Sequence, residues 1–325
     1  MNHSALSPIP IIQAPIASAA SASLCATVSN SGALGGVSLT WRNPDQASEL
    51  LAEVQSKTSE PFYANFVLHF DPLSLAAAIS AGLKIVTFSW GDPTLHIDQC
   101  RKSGLQIGIQ VTSRLSARAM LQLNPDFLIV QGVEAGGHVQ AHQPLSTSLF
   151  EVLEVSGETP VYAAGGLANG SDLASVMLAG AHGGVFGTRF LASIESEAHP
   201  KYKERITEAS AKDTVLTNCF NIGWEGAPHR VLINSTFQKW EASGCPKSGF
   251  KPGEGDILGS TQSGEPLFRY EDAMPRHDMK GDWEPMCLYA GTSTERIHKV
   301  VPASQIVESI WRNASKILSQ EVNEN

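Results

Sequence analysis

Short apolar runs recur along the first 190 residues at intervals of roughly 20 to 30, and this repeat constrains the fold more than any other feature of the chain. Eight runs are strand candidates: 9–14, 33–39, 62–68, 84–90, 105–111, 126–133, 160–165 and 184–190. Most are continuously apolar rather than alternating, as strands covered on both faces read. Helical patterns lie between them, including 45–55, 73–81, 113–123, 147–155 and 171–178, and several open on Ser or Asp and end near Gly82, Gly157 or Gly180. Strand and helix in alternation predict a parallel sheet with right-handed crossovers. An open doubly wound sheet shares that pattern. The eight units, with the glycine turns described below, favour an α/β fold of one closed (β/α)8 TIM barrel. A length of 325 residues, 42% of them hydrophobic, suits a single barrel domain over 1–325.

The last third reads differently. The polar stretch 192–212 is expected to supply the eighth outer helix, and 243–264, rich in Gly, Pro, Ser and Lys, reads as loop. Residues 265–291 carry aromatic and charged groups without a period, so 243–290 is expected to be an irregular, lid-like insertion. In 303–318, Ile306, Val307, Ile310, Ile317 and Leu318 share one helical face, which predicts a closing helix packed on the barrel.

A formal charge of −9 without local clusters of Lys and Arg argues against nucleic-acid or anionic-membrane partners. The five cysteines, Cys25, Cys100, Cys219, Cys245 and Cys287, have no metal spacing and read as reduced, mostly buried thiols. No basic stretch precedes an apolar run at the N-terminus, and no window approaches 18 uninterrupted apolar residues. A cytoplasmic location is the expectation. P-loop, GxGxxG, HExxH and GxSxG signatures are missing, so no metal site is expected.

In a β/α barrel, function sits just after the strands. Strand 1 is followed by QAPIASAAS, where Ala14, Pro15 and Ile16 lead a run of small residues that lets a planar ligand approach the backbone. The same run can also be read as the start of the first helix. Asn65 in YANF and Gln110 are amides among apolar neighbours, able to serve a ligand or the structure alone. Strand 6 runs into VQGVEAGGH, where Gln131, Glu134, Gly136, Gly137 and His138 fall within eight residues. The glycines allow close backbone approach, and a histidine beyond them can act as a base. Strands 7 and 8 end in AAGGL, with Gly165 and Gly166, and GTRF, with Gly187 and Thr188. Exposed amides at this edge form the usual phosphate cradle of the fold.

In this order, PIIQAPI, YANF, VQGVEAGGH, AAGGL and GTRF resemble the nitronate monooxygenase family, formerly called 2-nitropropane dioxygenases, with a weaker echo in CLYAGTS at 287–293. The resemblance implies a metal-free barrel binding FMN. It implies that Asn65, Gln131, Gly136 and Gly166 contact the flavin or its ribityl chain. Val185, Phe186, Gly187 and Thr188 would line the phosphate end, backbone near Ala14 and Ile16 would meet the ring, and His138 would be the catalytic histidine. The implied substrates are small-molecule nitronates or nitroalkanes and dioxygen, and the products a carbonyl compound and nitrite. Departures from the family pattern stand at Ser18, Ser89, His182, Val185 and Thr292, mostly on the substrate side. Two other readings stay open: an FMN-dependent NAD(P)H reductase of the enoyl or quinone type, and a non-catalytic flavin-binding barrel. Nucleotide dehydrogenases are disfavoured because none of the five cysteines sits in the loop after strand 6, where their nucleophile would be.

Overall fold

A computed structural model describes residues 6–324. Its eight parallel strands are β1 (Ile11–Gln13), β2 (Gly35–Ser38), β3 (Phe62–Val67), β4 (Ile85–Ser89), β5 (Gln106–Val111), β6 (Phe127–Gln131), β7 (Val161–Ala164) and β8 (Gly183–Phe186). They pair in sequence from β2 through β8, and β8 pairs with β1. Ile12 bridges Leu34 in parallel, with Gln13 N donating to the Leu34 carbonyl at 2.9 Å, so the circle closes into the expected barrel.

Alternation along the strands sorts the side chains. Tyr63, Ile85, Phe127, Ile129, Tyr162 and Val185 point inward and form the core of the barrel itself. Their neighbours Ala64, Phe66, Val86, Leu128, Val130 and Phe186 point outward and pack against the helices. Two glycines make room for the inner aromatics. A Cβ on Gly36 would lie 2.2 Å from the Tyr63 ring, and one on Gly108 would lie 2.3 Å from Phe127. The rings plug the barrel interior below the site, and the upper ends of the strands present polar residues.

The outer layer is α1 (Ala22–Asn30), α2 (Pro44–Lys57), α3 (Leu75–Ser80), α4 (Thr94–Lys102), α5 (Arg114–Leu121), α6 (Leu145–Ser156) and α7 (Gly170–Leu178). Capping boxes start α2 at Asn43, α5 at Ser113 and α7 at Asn169. Asn43 and Asn169 take the place expected of Ser or Asp. Gly82, Gly157 and Gly180 follow α3, α6 and α7 with positive φ, the backbone that ends a helix.

The eighth position corrects the sequence reading. The stretch 192–212 yields only α9 (Pro200–Glu208), after the one-turn α8 (Thr188–Leu191). The helix that packs between α7 and α1 is the terminal one, α11 (Ala303–Glu324), whose apolar face buries Ile306, Val307, Ile310 and Ala314. Charged and polar residues dominate α9, so it has less apolar surface to offer the barrel; Tyr202 and Ile206 instead join a second core with Phe220, Val231, Leu288 and Tyr289. That core sits under an insertion holding β9 (Thr214–Thr217), β10 (His229–Leu232), α10 (Ser235–Ala242), and a small sheet of β11 (Ile257–Ser260), β12 (Pro266–Phe268) and β13 (Lys280–Gly281).

Gln13 pins the closure. Fully buried, its amide donates to the Gly36 carbonyl at 2.9 Å and accepts from the Gly36 amide at 3.1 Å, joining β1 to β2. Gln13→Ala leaves both groups of Gly36 without those partners. The variant should lose about 2–6 kcal/mol, at 1–3 for each of the two buried orphans, read as a lower urea midpoint. An unchanged midpoint would show that the closure does not rest on this side chain.

Candidate active site

The upper end of the barrel opens into a cavity with about 1250 Å³ of empty space, its mouth included. All eight strand ends contribute to its wall, and the inward parity set by the barrel selects which residues appear. Asn65, Thr87, Ser89, Gln110 and Gln131 continue the inward rows of β3 to β6 and line the cavity.

These amides are organised. Asn65 donates to the carbonyl and hydroxyl of Thr87, at 3.3 and 3.0 Å. Gln110 donates to Gln140 Oε1 at 2.8 Å, the Gln140 amide donates to Gln131 Oε1 at 2.8 Å, and Gln131 Nε2 donates to the His138 carbonyl at 3.1 Å. The relay fixes the chain beyond β6 to the strand tops and so sets the position of His138.

The glycine turn is held from its other side by the insertion. Gly137 and His138 pair antiparallel with Arg230 and His229 of β10. The Arg230 guanidinium donates to the Val133 carbonyl at 2.9 and 3.1 Å, and the Val139 amide donates to the Pro228 carbonyl at 2.8 Å. A Cβ at Gly136 would lie 2.4 Å from the amide nitrogen of Gly291, so the two backbones touch and only glycine fits. Thr292 N donates to the Glu134 carbonyl at 3.1 Å. The distant echo at 287–293 thus packs against the VQGVEAGGH turn.

His138 lies against Trp224 with ring centroids 4.2 Å apart, and against His229 and Tyr289, each at 5.5 Å. Its Nε2 is buried and has no hydrogen-bond partner among the described residues. Burial, reinforced by nearby His229, lowers its pKa to about 3. Burial likewise lowers His229 to about 4, against a hydrogen bond to the Ala227 carbonyl that pulls the other way. His138 is a neutral imidazole at pH 7, with one nitrogen free to meet a ligand.

The adjoining wall, at the ends of β7 and β8, fits a phosphate. Gly165 and Gly166 have φ of +118° and +72°, and Gly187 and Thr188 open α8, whose first amides have no carbonyl one turn earlier. Beside Thr188, Arg189 is buried, pairs with no carboxylate among the described residues, and leaves Nε without a partner. Burial lowers its pKa only to about 10, so the cation persists behind the cradle. Ala14, Pro15 and Ile16 supply a small apolar flank facing Gly187. A flavin suits this combination of flat wall, polar edge and amide cradle.

Of the ligand-contacting residues read from the sequence, Ala14, Pro15, Ile16, Asn65, Gln110, Gln131, Gly136, Gly137, Gly165, Gly166, Val185, Gly187 and Thr188 all line this cavity, together with His138. Phe186 does not. Alternation on β8 turns Val185 inward and Phe186 outward, into the layer beneath the helices, and only its carbonyl reaches the rim, accepting from the Ala14 amide. The sequence reading missed Trp41, Trp90, Trp224, Met274, Tyr289 and Ser293, which also line it. Trp41 and Trp90 follow β2 and β4, where position alone could have exposed them. Trp224 and Met274 come from the insertion and carry no local signal. Among the described residues no side chains cluster as a metal site, and no helix is long and apolar enough to cross a membrane.

The sequence profile of the family described as nitronate monooxygenase matches residues 2–76 and 71–313, and the chain belongs to that family. It is an oxidoreductase of a flavin-dependent group. The nitronate monooxygenase of Pseudomonas aeruginosa is 26% identical over 285 residues, spanning 73% of this chain and 80% of the relative. A (3aS,4S,5R,7aS)-5-hydroxy-7a-methyl-1-oxo-octahydro-1H-indene-4-carboxyl-CoA dehydrogenase of Mycobacterium tuberculosis is 30% identical over 247 residues, 74% of this chain and 67% of the relative. Among solved structures, FabK from Thermotoga maritima superposes with a TM-score of 0.83 at 30% identity, covering 98% of this chain and 97% of its own. A nitroalkane oxidase from Streptomyces ansochromogenes gives 0.77 at 25%, covering 97% and 98%.

The two buried histidines make stability depend on pH. Folded, they stay neutral down to about pH 3 and 4, whereas an unfolded histidine protonates near 6.5. Unfolding therefore takes up protons in between, so their contribution is whole above pH 6.5 and is lost as pH falls towards 4. Asp272, raised by burial to about 6, acts in the opposite sense, and a difference between variants separates the two. Denaturant titrations of the ligand-free protein should show a shallower fall from pH 7 to pH 4 in His138→Asn than in the parent. Parallel curves would mean that His138 titrates in the fold as it does in the unfolded chain.

Proposed function

We propose that the protein uses FMN and dioxygen to oxidise nitronates, releasing nitrite and leaving a carbonyl compound, with His138 as the group that meets the substrate. One observation carries this reading: a neutral imidazole, its buried Nε2 without a partner among the described residues, lines a cavity whose glycine turns suit a flavin phosphate. FMN, when bound, would supply the acceptor for substrate electrons and their delivery to dioxygen.

The chain's residues divide the remaining work. Gly165, Gly166, Gly187 and Thr188 would hold the phosphate by backbone amides, with the Arg189 cation behind them. Asn65, Gln110, Gln131 and the Gly136–Gly137 backbone would meet the polar edge and ribityl chain, and Ala14, Pro15 and Ile16 the ring. Trp224 and Tyr289, both buried against His138, exclude water from the substrate side.

A nitronate arrives already deprotonated, so His138 need only donate a hydrogen bond from the N–H of its neutral ring to the nitronate oxygens. A neutral nitroalkane must first lose a proton from carbon, and the ring nitrogen that meets it would then have to carry the lone pair, as in the other neutral tautomer. A ring whose protonation lies near pH 3 is a weak base, so the anion route is the better served.

A second reading, a reductase on the same barrel, draws support from the 30% identities to the carboxyl-CoA dehydrogenase and to FabK. Against it, no Lys or Arg among the described residues lines the cavity to receive the phosphates of a nicotinamide donor.

An oxygen-electrode assay of the FMN-loaded protein with ethyl nitronate should show oxygen uptake and nitrite, insensitive to NAD(P)H. Anaerobic NAD(P)H oxidation with no nitronate turnover would install the reductase instead. His138→Asn should keep its flavin yet lose about 10²–10⁴ in kcat/KM for neutral nitroalkanes, the usual worth of a general base, and less for preformed nitronates. Parental rates with both would remove His138 from the reaction.

A further inference from the structure

We infer that the substrate carries a flat, apolar, uncharged body, an aryl or otherwise conjugated nitronate, selected by Trp41, Trp90 and Trp224. The nature of the reacting group rests on the function proposed above; the nature of the body rests on the wall itself.

That wall is a continuous aromatic surface from the histidine to solvent. Trp224 stacks at a tilt on His138 at 4.2 Å, and Trp90 meets Trp224 edge-on at 4.7 Å. Behind Trp224 stand His69 and Phe70, each at 5.3 Å, and Phe70 receives the Trp41 ring edge-on at 5.6 Å. Trp41 is 52% exposed, whereas Trp224 is buried, so the surface runs from the mouth to the reacting end. Trp90 also sits at φ +60°, a conformation a bulky residue rarely adopts unless its surroundings impose it, as at ligand clamps.

Neither cofactor binding nor proton handling uses these indoles. Aromatic rings set at such angles attract another ring through offset and edge-to-face contacts beyond simple burial. Polarity narrows the class further. With no Lys, Arg, Asp or Glu among the described residues of the cavity lining, the single charge of a nitronate has neutral donors to meet it, and a second charge on a carboxylate finds no cation.

The test uses the FMN-loaded protein and the nitronates of phenylnitromethane, nitroethane and 3-nitropropionate. The expected order of kcat/KM is phenyl above ethyl by at least about ten-fold, given what two ring contacts contribute, and the carboxylated substrate lowest. Trp90→Gly removes the ring while glycine accepts the φ of that position, and should shrink the phenyl-to-ethyl ratio several-fold. Trp41→Ala, at a half-exposed ring on which folding does not depend, should shrink it as well. In parallel, phenylacetate and acetate, neither of which can be oxidised as a nitronate, are titrated by their perturbation of the flavin absorbance. Phenylacetate should bind at least about ten-fold tighter, and the variants should narrow that gap. A ratio near one in binding overturns the proposal, whatever turnover does. Tighter phenylacetate with no turnover of any nitronate keeps the flat apolar body and overturns the nitronate chemistry alone. Turnover that favours the carboxylated or ethyl substrate overturns the selection by the tryptophans.

Discussion

A closed barrel of eight short strands admits inward side chains in only a few layers, and every feature of the site follows from how those layers are filled. Here the lower layers hold Tyr63, Phe127 and Tyr162, which fit because Gly36 and Gly108 on neighbouring strands have no side chains to oppose them. With the aromatic volume placed below, the next inward positions are free to be amides and hydroxyls: Asn65, Thr87, Ser89, Gln110 and Gln131. The parity that makes Val185 a wall residue makes Phe186 a core residue. Gln13 belongs to the same arrangement, since its bonds to Gly36 hold the first and second strands at the register on which all the rows depend.

Above the barrel the limiting interaction is backbone against backbone. Gly136 and Gly291 approach so closely that neither tolerates a Cβ, and β10 adds two residues of ladder to the same turn. His138 is thereby gripped from three sides: by the glutamine relay from the strands, by the insertion, and by the 287–293 segment. Such a grip fixes the backbone from which the His138 ring projects, and the rings of Trp224, His229 and Tyr289 bound the space it can occupy. It also removes water, and the depressed basicity of His138 and His229 is the electrostatic mark of that removal.

The sequence disclosed those parts whose physics is local. Continuous apolar runs with glycines after them marked the strands and the cradle, because a buried parallel strand and a backbone-to-phosphate contact each demand particular residues at one place. Phe186 was misread because a motif was carried over whole, while the side chains of a strand alternate. The eighth helix was misassigned for another reason. Both 192–212 and 303–318 are helical in pattern, and which one docks is decided by apolar surface across a 90-residue gap, where Ile306, Val307 and Ile310 outweigh a charged α9. Trp224 lay beyond local reading altogether, since it reaches the cavity only through the fold of the insertion.

The charge arrangement of the cavity ties the site together. Among the described residues its lining carries no Lys, Arg, Asp or Glu, and Arg189, which donates to the Ala192 and Lys299 carbonyls, lies beside Thr188 outside the open space. An anion entering the cavity would therefore be sorted by where its charge must lie. On the reading proposed, a cofactor phosphate would reach helix α8, next to Arg189, while a small anion beside the tryptophans would meet neutral donors. In surroundings of low polarity, a neutral histidine that gives a hydrogen bond stabilises a delocalised charge without first having to be charged itself. A protonated histidine would attract the substrate more strongly in isolation, but it would have to be formed beside Trp224 and His229, where burial opposes it. On the reading proposed, the cation would stay with the end where charge is permanent, and the end that meets substrate would be left neutral. That separation follows from the aromatic packing around His138, and the same packing shapes the space left for the substrate.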